Sequence, residues 1–193
     1  MSTMVISLIT TGTGECSFPS THHPLNSVLQ RYGQKLGPVQ GVGYVNELLA
    51  RLTGQPVQDE TQTNHTLDDS PVTFPLNRTF YADFSHDNQM ISIYSALGLF
   101  VQPHDLDTTQ LDKKRTWRDS KLVPFSGRMI TEKLACQGDE YVRVLVNDAV
   151  QPLAFCNASG DGLCTLADFV KSQHYARNNG EGDWARCFAG EEA

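Results

Sequence analysis

The sequence predicts an α/β domain, and three observations carry that prediction. Apolar residues recur at helical spacing over residues 42–52 and again after Asn88; they alternate as in half-buried strands near Phe80 and over residues 141–146; and the two patterns interleave along the chain. Such interleaving places helices against a sheet. With 193 residues, 39% of them hydrophobic and 19% charged, the chain can bury one core and is too apolar for a disordered segment.

Residues 1–36 carry Ser/Thr/Gly runs and the pair His22-His23 without a firm pattern, so no element is assigned there. From Gly37-Pro38 onward Val42, Val45, Leu49 and Leu52, with Tyr44 and Leu48 beside them, follow helical spacing. An amphipathic helix is expected, stopped at Thr53-Gly54 because glycine accepts the left-handed conformation that ends helices. Residues 55–75 read as a polar loop punctuated by Pro56, Pro71 and Pro75. Phe80, Ala82 and Phe84 then share one face of a short strand, expected at the centre of the sheet.

The helix pattern from Asn88 is apolar nearly all round, through Met90, Ile91, Ile93, Tyr94, Ala96 and Leu97, which predicts a buried helix ending near Gly98. Residues 102–120 hold the basic run Lys113-Lys114-Arg115 behind Asp105, Asp107 and Asp112 and read as a solvated loop. An extended stretch over 122–134 precedes a hairpin with a strand at 141–146, a turn at Asn147-Asp148 and a return over 150–153. Thr165 and Asp168 have capping-box spacing ahead of Phe169, Val170 and Tyr175, predicting a helix to about Ala176, and a Gly/Asn-rich loop follows at 178–183.

The net charge is −7, so the long-range field repels polyanions and no nucleic-acid partner is expected. No membrane partner is expected either, since no segment holds the 18 or so uninterrupted apolar residues of a spanning helix. The first residues have no Lys or Arg ahead of their short apolar run and do not read as a signal peptide. Three glycosylation acceptors, Asn64, Asn77 and Asn157, and the closely spaced Cys156 and Cys164 point instead to an oxidising compartment. Five cysteines are an odd count, which leaves at least one thiol without a partner in the chain.

The chemistry-bearing feature is His86-Asp87, where a strand pattern gives way to a helix pattern. A helix N-terminus presents N–H groups and the positive end of its dipole, which suits a phosphoryl group. An imidazole there can hold a phosphoryl oxygen while an adjacent carboxyl protonates a leaving alcohol oxygen. Taken alone the dipeptide is more often a helix cap, because Asp at a helix start accepts from free N–H groups and two residues carry little specificity.

The context resembles a family. Gly37-Pro-Val-Gln-Gly-Val-Gly-Tyr-Val-Asn-Glu-Leu-Leu-Ala-Arg-Leu-Thr, Asn64-His-Thr-Leu-Asp, Thr73-Phe-Pro-Leu-Asn and Tyr81-Ala-Asp-Phe-Ser-His-Asp-Asn are similar to fungal phytases of the histidine acid phosphatase class. The likeness continues through Val123-Pro-Phe, Val142-Arg-Val-Leu-Val-Asn-Asp and Asp183-Trp-Ala-Arg-Cys-Phe. It implies part of a phosphoglycerate-mutase-like sandwich, a mixed sheet flanked by helices, with 1–36 a poorly matched segment and 37–193 the C-terminal portion of the domain. It also implies a secreted protein acting on phosphomonoesters such as phytate (myo-inositol hexakisphosphate) without a cofactor or metal.

In the family's two-step reaction a histidine nucleophile takes the phosphoryl group and water then releases it. The resemblance makes Asp87 the proton donor and His86 a phosphate-binding residue, and places Arg31 near the basic residues of the substrate pocket. A carboxyl donor must hold its proton first, and with a reference value of about 3.9 that favours acid. The nucleophile motif Arg-His-Gly-x-Arg-x-Pro is absent from these 193 residues, which contain no Arg-His dipeptide. The expectation is therefore a fragment lacking the N-terminal half, inactive alone. The resemblance pairs Cys156 with Cys164 and leaves Cys16, Cys136 and Cys187 as unpaired thiols.

Two other classes compete. A non-catalytic secreted binding or scaffold domain derived from the enzyme would use the same fold without turnover. A calcium site is imitated by residues 157–168, with oxygen-bearing residues Asn157, Ser159, Asp161 and Thr165 at alternating positions and Gly162 sixth. That loop starts with Asn, ends with Asp168 in place of the bidentate Glu, and follows a strand pattern instead of a helix.

Overall fold

The computed structural model describes residues 3–7, 36–61, 65–104, 106, 110, 112–158 and 160–188. Its strands among these residues are β1 (Thr3–Ser7), β2 (Phe80–Ala82), β3 (Met129–Cys136), β4 (Asp139–Val146), β5 (Ala149–Val150) and β6 (Cys164–Thr165). Its helices are α1 (Val42–Thr53), α2 (Asp87–Ala96), α3 (Asp119–Leu122), α4 (Leu166–Ser172), α5 (His174–Arg177) and α6 (Asp183–Arg186). The strands form one mixed sheet in the order β2-β1-β3-β4-β5, with β6 also paired to β4. β2 runs parallel to β1, and the other pairs are antiparallel.

α1 forms as its apolar spacing predicts. Val42, Val45, Leu48, Leu49 and Leu52 are buried along one stripe, and Gly54 closes the helix at φ 69°, its N–H bonding the Ala50 carbonyl at 2.8 Å. α2 is buried through Met90, Ile91, Ser92, Ile93, Tyr94 and Ala96, matching a helix apolar on most of its circumference. The core joins these helices to Trp117, Met129, Val142, Val144, Leu153 and Phe169. Each large apolar side chain removed from water contributes about 1.5–3 kcal/mol. Lys133 of β3 ties the sheet to α1, donating to the Leu52 carbonyl at 2.9 Å while pairing Glu140 at 2.7 Å.

The close approach of α2 to the turn at Pro38–Gly41 depends on a missing side chain. A Cβ on Gly41 would stand 2.4 Å from the Ser92 carbonyl oxygen and 2.9 Å from the Ala96 Cβ. Gln89 adds a tie from the first turn of α2 to the Gln40 carbonyl at 3.2 Å.

Three expectations are corrected by the fold. β2 lies at the edge of the sheet, and Phe80 and Phe84 are 52% and 67% exposed, so the alternating apolar face is a surface. Period-two alternation identifies a strand face but does not say what covers it. A strand, β1, stands within residues 1–36, where short β-branched runs were too brief to signal it. The largest ladder, eight pairs between β3 and β4 turned at Gln137-Gly138, exceeds the predicted hairpin at Asn147-Asp148, which forms with a two-residue return strand.

Candidate functional site

The strand-to-helix junction is built as the sequence suggested, with the helix beginning one residue earlier. β2 ends at Ala82, residues 83–86 belong to neither element, and α2 starts at Asp87. His86 is the N-cap residue in an extended conformation (φ −113°, ψ 164°), and its carbonyl accepts the first helical bond, from the Met90 N–H at 3.0 Å. Asp87 occupies the first turn, where the helix dipole favours negative charge. Its Oδ1 accepts from the Asn88 N–H at 2.8 Å, and Asn88 Oδ1 in turn accepts from the Gln89 N–H at 2.9 Å. His86, Asp87 and Asn88 are all exposed.

This arrangement brings an imidazole and a carboxyl side by side at a positive helix end, open to solvent. It can hold an anionic oxygen and deliver a proton beside it. The structure thus unites the two residues singled out from the sequence. Arg31 and Asn64 lie outside the described residues. Asn77 and Asn157 are exposed on turns, and Asn157 adopts the left-handed conformation at φ 53°.

Cys156 and Cys164 form a disulfide, with Cα atoms 6.0 Å apart. Cys136 is free and exposed, but Cys187 is disulfide-bonded to a residue outside those described, which corrects the expectation that it is an unpaired thiol. The Cys156–Cys164 bond is the pair the resemblance implied; spacing along the chain does not reveal which distant thiols approach.

The calcium-like loop is organised otherwise. Thr165 Oγ1 accepts from the Asp168 N–H at 3.1 Å and donates to Asp168 Oδ2 at 2.8 Å, so Thr165 caps α4 and the Asp168 carboxylate holds the capping hydroxyl. A 3-10 turn over Ala154–Cys156 precedes the loop where a calcium hand would have a helix. A shallow cavity lined by Arg143, Val150, Gly160, Asp161 and Leu163 includes neither His86 nor Asp87, and Arg143 is paired with Glu132.

Sequence reasoning missed the anchor behind the junction. Arg51, in the last turn of α1, grips Asp83 with both terminal nitrogens, Nη2 meeting Oδ1 at 3.0 Å and Nη1 meeting Oδ2. Their side chains are only 8% and 15% exposed. The guanidinium lies over the Phe74 and Tyr81 rings, 4.7 and 5.1 Å from their centroids, with Glu47 at 3.7 Å. Tyr44 is buried in the same charged neighbourhood, and burial first, then the Asp83 charge, pushes its phenol well above the ordinary value. Arg51 reads from the sequence as one polar residue on an amphipathic helix, and the 32 residues separating it from Asp83 leave no local signal.

Comparison with known proteins gives the arrangement its context. Phytase A of Aspergillus awamori is 47% identical over 178 residues, covering 87% of this chain and 38% of that protein. Phytase A of Emericella nidulans is 50% identical over 160 residues, covering 81% of this chain and 34% of the relative. The chain therefore spans little more than a third of the length of these relatives. The crystal structure of the phytase from D. castellii superposes with a TM-score of 0.58 over 76% of this chain and 28% of that one; at 22% identity the likeness speaks for the fold. Residues 19–147 match the histidine phosphatase superfamily (branch 2). The mixed sheet with its flanking helices is accordingly part of that fold, and the chain belongs to the histidine phosphatase superfamily.

Proposed function

We propose that this chain supplies the proton-donor half of a phytase-like acid phosphatase site, acting on a phosphomonoester such as myo-inositol hexakisphosphate. The observation that carries the reading is the placement of His86 and Asp87, both exposed, at the N-terminus of α2. In this reading His86 hydrogen-bonds a non-bridging phosphoryl oxygen, and the α2 dipole adds to that anion site. Asp87, protonated, gives its proton to the bridging oxygen as the phosphorus–oxygen ester bond breaks, so that the alcohol leaves neutral. The resulting carboxylate then takes a proton from the water that releases phosphate.

The attacking group belongs to the Arg-His-Gly-x-Arg-x-Pro motif, which these 193 residues do not contain. Residues 37–193 thus act as the C-terminal portion of a domain completed by an upstream portion. His65 pairs with the buried Asp68 at 3.3 Å, and His174 with Glu181 at 3.6 Å on the surface. The exposed Asn77 and Asn157, with the disulfides, support an extracellular, glycosylated protein.

The test is turnover of p-nitrophenyl phosphate in acid, by the chain alone and by the chain joined to the upstream portion of the A. awamori phytase. Turnover is expected only from the joined protein. Turnover by the chain alone contradicts the proposal, and a folded joined protein without activity favours a non-catalytic scaffold.

A further inference from the structure

We propose that Arg51 is a positioning residue for the junction: by holding Asp83 in a two-pronged grip it fixes where His86 and Asp87 stand. The chemical meaning of that position rests on the phosphatase reading above; the grip itself does not.

The need for such a device follows from the local backbone. Residues 83–86 belong neither to β2 nor to α2, yet groups that bind an anion and deliver a proton must be held within about 0.5 Å of their productive places. Asp83 is the first residue beyond the strand, and only Phe84 and Ser85 separate it from His86, three steps and at most about 11 Å of extended chain. Fixing Asp83 therefore restricts His86 from one side, while the first turn of α2 restricts it from the other.

Arg51 suits the task because its own base is rigid. It projects from α1, whose neighbouring Leu48, Ala50 and Leu52 are buried in the core. The guanidinium fork meets both carboxylate oxygens of Asp83, which fixes direction as well as distance. The Phe74 and Tyr81 rings hold its plane, and Tyr81 belongs to β2 itself, so strand and loop are gripped together. The buried Arg51 Nε has no hydrogen-bond partner. An unsatisfied N–H lowers stability, and buried ion pairs in general stabilise little over apolar replacements, so the contribution of this pair is geometric.

The experiment uses the full chain and two readouts: amide hydrogen exchange, and the His86 ring resonances during titration with orthophosphate. The double variant Arg51→Met/Asp83→Leu exchanges the ion pair for apolar groups of similar size, a change that generally leaves stability intact. Exchange of the Met90 amide, which bonds the His86 carbonyl, is expected to rise about tenfold or more while β3 and β4 keep their protection. The orthophosphate response of His86 is expected to weaken in parallel. Arg51→Lys is expected to fall between wild type and the double variant, because an ammonium is a point charge that cannot hold both oxygens.

Unchanged exchange of the Met90 amide in the double variant overturns the proposal, as does full wild-type behaviour in Arg51→Lys. Should the double variant lose protection in β3 and β4 as well, Arg51→Lys and Asp83→Asn decide by the same comparison. In the protein joined to the upstream portion of the A. awamori phytase, a His86 that ignores orthophosphate removes the phosphatase reading, and the exchange measurement still decides the grip.

Discussion

One oxygen of Asp87 accepts the Asn88 N–H at 2.8 Å; the geometry holds the carboxyl in place by one oxygen while the residue stays open to solvent. That is what a proton donor requires, since the group must be fixed and also reach a substrate. The role of the His86-Asp87 pair was implied only by the resemblance, but the junction itself was legible in the sequence because it is local: a strand pattern, two residues and a helix pattern. Arg51–Asp83 was not, because an ion pair across 32 residues leaves no periodic trace. Phe80 and Phe84 were misread for a related reason: alternation cannot distinguish an apolar face that is covered from one that is open. At the same scale Gly41 is decisive by what it lacks. Gly41→Ala forces the Pro38–Gly41 turn away from Ser92 and Ala96, and overpacking of this kind is expected to cost about 1–3 kcal/mol. A thermal unfolding midpoint equal to that of wild type would show that the contact yields freely.

Among the elements, α1 and α2 were the most readable, because burial imposes helical periodicity over ten or more residues and glycines mark their ends. α2 carries the proposed site, and three contacts set the helix: Gly41 beneath it, Gln89 to the Gln40 carbonyl, and the Arg51 grip on the loop that enters it. The β3–β4 ladder was less readable. Its turn, Gln137-Gly138, has φ of 54° and 97°, the left-handed pair that two-residue hairpins need, but Gln is an uncommon first residue for it. Trp117 shows the opposite failure: a charged, loop-like stretch conceals a side chain only 1% exposed that meets Phe100 edge-on at 6.3 Å. Charge patterning described the surface of that segment and missed its anchor.

Across the whole molecule, the buried phenols make a prediction about pH. Burial keeps Tyr44 and Tyr94 protonated well beyond their ordinary range. The unfolded chain releases these protons near pH 10 while the fold retains them, so the folded state binds more protons and stability falls as pH rises further. The loss is about 1.4 kcal/mol per pH unit for each buried phenol. Phenolate absorbance from these residues should therefore appear together with unfolding; their ionisation within an intact fold would contradict the burial. At this scale, too, the sequence foretold an α/β domain with a mixed sheet; the match over residues 19–147 places it in the histidine phosphatase superfamily, and the two Phytase A relatives are more than twice its length. The central claim is that Asp87 protonates the leaving oxygen, and dependence on the leaving group tests it most directly. In the protein joined to the upstream portion of the A. awamori phytase, kcat/KM is compared for an alkyl phosphate and p-nitrophenyl phosphate, with and without Asp87→Asn. A nitrophenolate departs readily without a proton and an alkoxide does not. The account predicts a loss of about 10²–10⁴-fold on the alkyl ester and a much smaller one on the nitrophenyl ester; equal losses on both would contradict it.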